Sequence, residues 1–400
     1  MKLASIEIQP SPDLTDYVRI TAHFNFEDGE KLEIWYELPQ HLQSDITTSG
    51  NPWLIFMLVH AIQKGEDINL DKPVDPALME NLKGLVMQWC AWYPQFKKVN
   101  ITAPLAKYEK NPERGKTAAF YSGGIDSWFT VLRHCPEREA AAIGNVDDLL
   151  FVHGFDIPET DLDELGKMQA MLAPAANELG REFIVMRTNL RKHGSLWTKA
   201  WGPLTHAAAL AATAMLVERR YDTVLIGSAI PYGQLFPWGS HPLTDVLFST
   251  SGLRIMHDGA MYTRVEKTEL VGRHEVALRN LHVCYAESSA DNCGTCPKCL
   301  RTMLTLELFG TLPNNGLFRE PLDLGRAKQL YLADEASITF FKEINDAARI
   351  KRAKDIAKTT EYALNRSRRL RKFIPALERA RRLPGLWRIG TWLRSKLLAS

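Results

Sequence analysis

The sequence predicts an α/β protein whose largest part is a parallel sheet. From about residue 117 to 275, short apolar segments alternate with helical patterns, the order that produces a parallel sheet covered by helices. The strand candidates are 118–121, 149–153, 183–186 and 224–227, and the helix candidates lie near 126–134, 162–179 and 203–219. Two further observations support this class: a glycine turn follows the first strand, and four cysteines cluster downstream.

Residues 1–110 form a separate unit in this prediction, an α+β N-terminal domain. Apolar and polar residues alternate from Val18 to Phe26 and again over 32–36, and Asp28-Gly29 lies between them, which predicts a β-hairpin. Helical patterns follow at 52–64 and 76–92, and residues 99–106 suggest a return strand. The residues leave open whether this domain packs against the next one or recognises a substrate or partner.

The strongest functional signal lies where the first strand of the 117–275 series meets its helix, in the run Ser122-Gly123-Gly124-Ile125-Asp126-Ser127. Backbone N–H groups at a helix start are unpaired, and the helix dipole there favours an anion. The serines add hydroxyl donors, the glycines let a pyrophosphate approach the backbone, and Asp126 would help hold Mg²⁺. The alternative is a plain strand-to-helix turn.

This run resembles the PP-loop of the ATP pyrophosphatases, which split ATP between its α and β phosphates. It lacks the Gly-Lys-Ser/Thr of the other common phosphate loop. The resemblance implies a HUP-like parallel sheet domain that uses ATP and Mg²⁺. It also implies that Ser122, Gly123, Gly124, Asp126 and Ser127 bind the nucleotide, with Asp126 and Ser127 acting in catalysis.

The cysteines Cys284, Cys293, Cys296 and Cys299 have the spacing Cys-x8-Cys-x2-Cys-x2-Cys. Four thiolates so close can surround one tetrahedral Zn²⁺, with Gly294 in the turn and Pro297 beginning a helix. Disulfides are one alternative, which the low cysteine content disfavours, and an iron–sulfur cluster is another. The remaining Cys90 and Cys135 are most simply small apolar residues.

A PP-loop followed by such a cluster resembles 7-cyano-7-deazaguanine synthase, the zinc-containing amidating enzyme of queuosine precursor biosynthesis. The likeness covers about residues 116–310. It carries the zinc ligands to the four cysteines, while Asp156 falls in a family Phe-Asp-Tyr-Gly run and Lys267 in a Thr-Lys-Ala-Glu segment, which assigns them nucleotide-binding and catalytic roles. Asp156 can equally be a helix N-cap or loop residue, and Lys267 a solvated surface residue.

The chain departs from this family where the acceptor pocket is expected. Residues 231–242 replace a Tyr-Pro-Asp-Cys-Arg-Pro-like run, and residues 201–206 replace an Arg-Asn pair. The departure leaves ATP use intact and puts the identity of the carboxylate in doubt. His206 and His241 are candidates to line an altered pocket, although a loop histidine with a local hydrogen bond is the commoner case.

The charge is strongly asymmetric. Residues 349–400 carry 16 Lys or Arg and three acidic groups, whereas the other residues carry 33 basic and 44 acidic groups. Such a tail fits RNA, DNA, an anionic membrane surface or an acidic partner, and its interleaved apolar residues also fit a docking helix. The alternative is a solvated helix packed on the acidic body. The longest apolar run, 53–59, is too short to span a membrane, and the start of the chain is not a secretory signal, so we expect a cytoplasmic protein.

We therefore expect three parts: an N-terminal domain over 1–110, an ATP-binding domain over 111–312 and a helical C-terminal region over 313–400. The resemblance implies adenylation of 7-carboxy-7-deazaguanine or a related acid, followed by transfer to ammonia or, as in relatives from bacterial antiphage systems, to an amine of a partner protein. A PP-loop tRNA-modifying enzyme and a non-catalytic nucleotide-binding scaffold are the alternatives. The oligomeric state is not readable from the sequence.

Overall fold

The computed structural model describes residues 1–107, 115–140, 142–193, 195–284, 290–314 and 316–381; for 193, 195, 196 and 374–381 only the backbone is described. The apolar residues of the tail beyond residue 381 therefore lie outside the described chain. Two compact units are present, Met1–Met261 and Tyr262–Ser400. The sequence places boundaries near residues 110 and 312 instead, and the first of these falls inside a unit with one continuous sheet. No helix among the described residues has both the length and the apolar character to cross a membrane.

The described part of the first unit contains ten strands. They are β1 (Lys2–Pro10), β2 (Tyr17–Asn25), β3 (Lys31–Pro39), β4 (Ile68–Asn69), β5 (Ile101–Thr102), β6 (Lys116–Phe120), β7 (Asp148–His153), β8 (Glu182–Thr188), β9 (Tyr221–Gly227) and β10 (Arg254–Asp258). All ten belong to one mixed sheet, in the order β10-β9-β6-β7-β8-β3-β2-β1-β4-β5.

Helices connect these strands. They are α1 (Asn51–Lys64), α2 (Pro76–Trp92), α3 (Ile125–Arg133), α4 (Leu162–Glu178), α5 (Leu190–His193), α6 (Ser195–Lys199), α7 (His206–Leu216) and α8 (Pro242–Asp245). Short 3-10 helices lie at Gln40–Asp45, Tyr232–Gln234 and Val246–Phe248, and a π-helical turn spans Trp201–Thr205. The predicted α/β class is confirmed, and the sheet is mixed rather than wholly parallel.

Five neighbouring strands, β8, β7, β6, β9 and β10, are parallel. The chain starts this half of the sheet at β6, lays β7 and β8 on one side, and then crosses to lay β9 and β10 on the other. The carboxyl ends of β6 and β9 therefore flank a point where the strand order reverses. In open α/β sheets, a crevice at such a point is the usual position of a ligand site.

The N-terminal strands extend the same sheet with antiparallel pairing. The predicted hairpin is confirmed, because β2 pairs with β3 along its whole length and Gly29 adopts φ +85° in the turn. The helical patterns at 52–64 and 76–92 are confirmed as α1 and α2. The return strand expected over 99–106 is only β5 and an isolated bridge at Leu105, and the sequence did not predict β1 or β10.

The two halves of the sheet meet where β3 pairs with β8. Only two residue pairs form here, Tyr36 with Thr188 and Glu37 with Arg187. Side chains continue the pairing where the backbone stops, since the Trp35 N–H donates to Asn189 Oδ1 at 2.9 Å and Thr188 Oγ1 donates to the Trp35 carbonyl at 2.8 Å. A short ladder is thus lengthened by side chains that imitate backbone groups.

A buried ion-pair network reinforces this junction. Glu37 is fully buried, and its carboxylate accepts hydrogen bonds from Arg187 on β8 and from Arg19 Nε on β2, the latter at 2.9 Å. Ser11 Oγ donates a further bond at 2.5 Å. A buried carboxylate is tolerated when cationic partners and donors replace its lost hydration, so the network also selects this register of β3 against β8.

The core of the first unit is centred on α1. Every residue from Asn51 to Ile62 is buried, so this helix is enclosed on all sides rather than amphipathic. The ring of Phe56 lies between Tyr36 of β3, with centroids 5.7 Å apart, and Trp197 of α6, at 5.9 Å. Trp197 Nε1 donates to His60 Nε2 at 2.9 Å, which satisfies both buried polar groups.

The described part of the second unit is helical. Its helices are α9 (Arg264–Gly272), α10 (Glu275–Arg279), α11 (Pro297–Leu308), α12 (Leu324–Gln329), α13 (Glu335–Ile350) and α14 (Lys354–Arg381). Leu300 and Leu304 of α11 pack with Phe341 and Ile344 of α13 and with Ala363 of α14 in its core. The helical character expected for the C-terminal region is confirmed up to residue 381.

We expect Glu37→Gln to destabilise the first unit by about 3 kcal/mol, because the buried Arg187 and the partly exposed Arg19 lose their buried carboxylate and keep only Asp13, which is 41% exposed. Thermal or urea unfolding of the variant and of Glu33→Gln, an exposed residue on the same strand, measures the difference. Equal stability of the two variants would show that the network does not hold the β3–β8 junction.

Candidate functional site

The 122–127 loop leaves the carboxyl end of β6 and enters α3 directly. Gly123 adopts φ +78°, a conformation that side chains disfavour, and Gly124 is the N-cap of α3. The N-cap residue Gly124 has no side chain to cap this N-terminus, and the N–H groups at a helix start favour an anion. The backbone at the predicted phosphate site therefore has the conformation that the sequence led us to expect.

The polar side chains of the loop take different positions. Ser122 is exposed, Asp126 is half-buried in the first turn of α3, and Ser127 is buried. Ser127 Oγ donates to the Gly124 carbonyl at 2.9 Å, which fixes the last residue before the helix. Ser122 and Asp126 are thus the side chains of the loop that reach solvent.

α3 lies unusually close to β9. A Cβ atom on Gly227, the last residue of β9, would come within 2.8 Å of the Asp126 carbonyl oxygen and 3.1 Å of Thr130 Oγ1. Only glycine fits there without displacing backbone. The glycine at the end of β9 therefore lets the loop sit at the point where the strand order reverses.

The buried carboxylate of Asp258 anchors α3 to the sheet. Asp258, at the end of β10, accepts hydrogen bonds from Thr130 Oγ1 at 3.0 Å and from His134 Nε2 at 3.1 Å, and Arg133 Nη1 lies 4.0 Å away. Burial raises the pKa of Asp258, but the His134 hydrogen bond, the charges of His134 and Arg133 and the Thr130 bond together lower it below its ordinary value. The partners of Asp258 are more than 120 residues away in the sequence, so no local pattern predicts this role.

Asp156 lies in the loop after β7, next to β6 in the sheet, and so on the same edge as the 122–127 loop. Its carboxylate is exposed and is 3.7 Å from Arg191 Nη1. Arg191 also donates to the Phe155 carbonyl and stacks over Trp201, 4.7 Å from the ring centroid. Asp156 caps no described helix, which excludes the N-cap alternative and leaves it as a loop residue on this edge.

The two candidate histidines lie on the segments that depart from the family pattern, and each has a local hydrogen bond. His206 Nδ1 is 2.9 Å from the Trp201 carbonyl oxygen, and His241 Nδ1 accepts from the Leu243 N–H at 3.1 Å as the N-cap of α8. Burial lowers the pKa of both imidazoles. Each histidine therefore makes a hydrogen bond to nearby backbone, which is the commoner situation for a loop histidine.

A polar cluster missed by the sequence analysis lies beside His241. Asp245 is fully buried and accepts from Ser240 Oγ at 2.6 Å, from His257 Nδ1 at 2.8 Å and from the His241 N–H at 2.9 Å. It therefore fixes residues 240–245 against β10. No local pattern marks such a cluster, because Asp245 and His257 are brought together only by the packing of α8 on β10.

The four cysteines converge in the second unit. Their Sγ atoms all lie within 4.8 Å of one another, and both Cys284–Cys296 and Cys293–Cys299 are 3.9 Å apart. A tetrahedral ion with Zn–S bonds of about 2.3 Å holds its sulfurs about 3.8 Å apart, so the geometry fits a single ion. None of the six cysteines forms a disulfide, so the disulfide alternative is wrong. The cluster is consistent with a zinc knuckle.

The backbone around the cysteines has the form of a metal knuckle. The Cys296 N–H donates to Cys293 Sγ at 3.3 Å and the Cys299 N–H donates to Cys296 Sγ at 3.4 Å. Gly294 adopts φ +78°, and a Cβ atom there would be 2.3 Å from the Glu320 carbonyl oxygen. Pro297 begins α11 as predicted. The hydrogen bond between the Cys299 and Cys296 thiols lowers the pKa of Cys296 and raises that of Cys299.

Asn292 supports this segment. It is buried, its Oδ1 accepts from the Val283 N–H at 2.8 Å and the Cys284 N–H at 3.2 Å, and its Nδ2 donates to the Leu281 and Leu317 carbonyls. One side chain thus replaces a strand partner for the backbone that carries the first cysteine. The cysteine spacing does not predict this structural role of Asn292.

Lys267 lies on α9 and is 1% exposed, so the alternative that it is a solvated surface residue is wrong. Its positive charge acts on Glu343 of α13, whose Oε2 accepts from the Arg264 N–H at 2.8 Å. Burial raises the pKa of Glu343 to about 7, against the lowering effects of that hydrogen bond and of the Arg264 and Lys267 charges. The buried lysine is part of an ionisable cluster within the second unit.

The predicted site residues thus fall into two groups. Ser122, Gly123, Gly124, Asp126 and Ser127 form one continuous loop in the first unit, on the sheet edge that also carries Asp156. Lys267 and the four cysteines belong to the second unit. Comparisons with protein-family models, with curated proteins and with solved structures found no match to this chain. The family resemblance accordingly rests on the motif residues themselves.

We expect Cys296→Ser to lower the metal content of the purified protein and to destabilise it by several kcal/mol, on the order expected for a structural site. Metal analysis and thermal unfolding measure both effects, and iron content distinguishes a cluster from zinc. Cys90→Ser, a half-buried thiol of the first unit, is the control. A metal content unchanged from the native protein would contradict the assignment.

We expect the stability of the native protein to fall between about pH 4.5 and pH 7 through Glu343. The folded state keeps the Glu343 proton up to about pH 7 while the unfolded state loses it near its ordinary pKa, so rising pH favours unfolding in this window. Glu343→Gln removes this contribution, worth about 3 kcal/mol. Unfolding measured against pH tests it, with the exposed Glu335→Gln as control; parallel curves for Glu343→Gln and the native protein would contradict it.

Proposed function

We propose that this protein is an ATP-dependent amidating enzyme that adenylates a carboxylate, releases pyrophosphate and transfers the acyl group to a nitrogen nucleophile. One observation carries the proposal: a Ser-Gly-Gly-Ile-Asp-Ser loop, with φ +78° at Gly123 and no side-chain cap on α3, lies at the reversal of strand order. The N–H groups at a helix start in such a position favour a pyrophosphate. The proposed acceptor is 7-carboxy-7-deazaguanine or a related acid.

The chemistry has two steps. An oxygen of the acceptor carboxylate attacks the α-phosphorus of ATP, and the bond to the bridging oxygen of the β-phosphate breaks, so that pyrophosphate leaves. Ammonia, or an amine of a partner protein, then attacks the acyl carbon, loses a proton and expels AMP. If the family reaction is retained, a second ATP converts the amide to the nitrile.

The proposed roles of the loop residues follow from where their groups lie. The α3 N–H groups and the Ser122 hydroxyl hold the pyrophosphate, and the open backbone at Gly123 and Gly124 lets it approach. Ser127 fixes the loop through the Gly124 carbonyl. Mg²⁺, held by Asp126, offsets the charge of the phosphates. Asp156, exposed on the same edge, is the proposed further nucleotide contact.

A metal ion at the four cysteines has a structural role in this proposal. Four thiolates fill a tetrahedral shell and leave no position for water or substrate. The irregular chain around Asn292 is held by that one side chain and by the cysteines, so a metal there stabilises the fold rather than activating a nucleophile. Lys267 is proposed to act in catalysis by the family resemblance alone.

A sulfur-transferring, tRNA-modifying enzyme is less well supported, because it needs a reactive cysteine near the loop. Cys135 follows α3 at the end away from the loop, about 14 Å along a helix of nine residues. It is buried, and burial is the main cause that raises the pKa of its thiol. A buried neutral thiol is a poor sulfur carrier.

We expect Asp126→Ala with Ser127→Ala to reduce pyrophosphate release by about a hundredfold or more, since both the metal ligand and a loop contact are lost. The assay is release of AMP and pyrophosphate from ATP and Mg²⁺ with 7-carboxy-7-deazaguanine, with and without ammonium, together with the product mass. A nitrile or amide establishes the acceptor; AMP without either means that another carboxylate is used.

Asp163→Ala is the matched control, because Asp163 is an exposed acid in the first turn of α4, on another helix of the same sheet. Native metal content and unfolding temperature in the double variant show that the fold is intact. Turnover retained by the double variant, or no AMP with any carboxylate tested, would count against the proposed enzyme.

A further inference from the structure

A basic groove lies on the second unit between α12 and α14. It has a volume of about 490 Å³. Its lining is Lys328 of α12 and, on α14, the polar or charged Lys358, Glu361, Tyr362, Asn365, Arg366 and Arg369 together with the apolar Leu370. We call it the α14 groove. Its volume is that of a site for a small molecule or a few groups of a polymer, and too small for a duplex.

α14 has two faces with different chemistry. Ile356, Thr360, Ala363, Ser367 and Leu370 are all buried and recur at alternating intervals of four and three residues, the spacing of a helix packed along one seam. The groove face is formed by residues 358, 362, 366 and 369, which are three or four positions apart and lie on another side of the helix, and Leu370 lies at the border between the two faces. The charges of the groove face are therefore not needed to pack the helix.

The groove carries four cationic side chains and one carboxylate. Glu361 lies 3.1 Å from Arg349, so its charge is already offset by a cation outside the groove. The cations on α14 extend from residue 358 to residue 369, about 16 Å along the helix axis. A row of cations of that length fits a chain of phosphates better than one isolated phosphate.

An aromatic ring lies within this row. Tyr362 is 44% exposed, and Lys328 Nζ is 4.6 Å from its ring centroid. Phe373, four residues beyond Arg369, is 61% exposed. Exposed aromatic rings among cations are the platform on which bases of single strands stack. A bilayer surface would favour a continuous apolar stripe, but Arg366 and Arg369 separate the two rings and Leu370 is buried.

We propose that the α14 groove binds single-stranded nucleic acid, with Lys328, Lys358 and Arg369 contacting phosphates and Tyr362 stacking on a base. This function is independent of the ATP chemistry proposed for the first unit. It assigns nucleic-acid binding to a defined surface of the C-terminal region and not only to the net positive charge of that region.

The test uses the full chain and a fluorescein-labelled oligothymidylate of about 20 nucleotides, with anisotropy measured over a series of salt concentrations. Lys358→Gln with Arg369→Gln lowers affinity by about tenfold or more and reduces the slope of log affinity against log salt by about 1.4. Tyr362→Ala lowers affinity by about tenfold and leaves the slope unchanged, because it removes stacking and no charge.

Arg326→Gln with Lys342→Gln is the matched control: both residues are exposed, lie in the same unit and remove the same charge outside the groove. The proposal is overturned if this control loses as much affinity as the groove variant, or if single strands do not bind. It is also overturned if the groove variants impair binding to vesicles of phosphatidylserine and phosphatidylcholine but not to the oligonucleotide. Unchanged unfolding temperatures confirm that the exposed substitutions leave the fold intact.

Discussion

The position of α3 depends on one buried carboxylate, Asp258. Its carboxylate oxygens bind Thr130 of α3 and His134, the residue that ends the helix, and its main-chain carbonyl accepts the Ser228 N–H just after β9. One residue thus joins α3, β9 and β10. Gly227 makes the approach sterically possible. Because a buried carboxylate without partners is costly, α3 cannot rotate or slide without exposing a charge to an apolar interior. The N-terminus of α3, and with it the 122–127 loop, is held in place by a residue that never touches the loop.

A second constraint acts at the β3–β8 junction, where two residue pairs carry the sheet from its parallel half to its antiparallel half. The N-terminal strands thereby cover the edge of β8, which would otherwise expose unpaired backbone groups. Since α1 packs against both β3 and α6, the first unit has one core rather than two. The N-terminal segment therefore has a structural role that its alternating sequence pattern could not reveal.

The sequence predicted correctly those features that depend only on residues close together in the chain. The alternation around Val18, the Asp28-Gly29 turn, the glycines before α3 and the Cys293-to-Cys299 spacing are each contained in a few residues, and each describes what is found. What escaped prediction depends on distant partners: the joining of β3 to β8, the Asp258 anchor and the burial of Lys267. A lysine on a helix is predicted to be exposed unless the element that packs over it is known. For Lys267 that element includes α13, which begins about 70 residues later in the chain.

The four cysteines of the second unit lie in, or at the end of, an irregular segment that has little secondary structure of its own. Between α10 and α11 the chain has no regular strand among its described residues, and only an isolated bridge joins Asn292 to Phe318. Such a segment has few backbone partners, so its order must come from side chains. Asn292 supplies four hydrogen bonds, and the four cysteine Sγ atoms converge to within 4.8 Å of one another. Because α11 begins at this point and Leu300 and Leu304 carry the core of the unit, order at the cysteines is transmitted directly to the helices that α13 and α14 pack against.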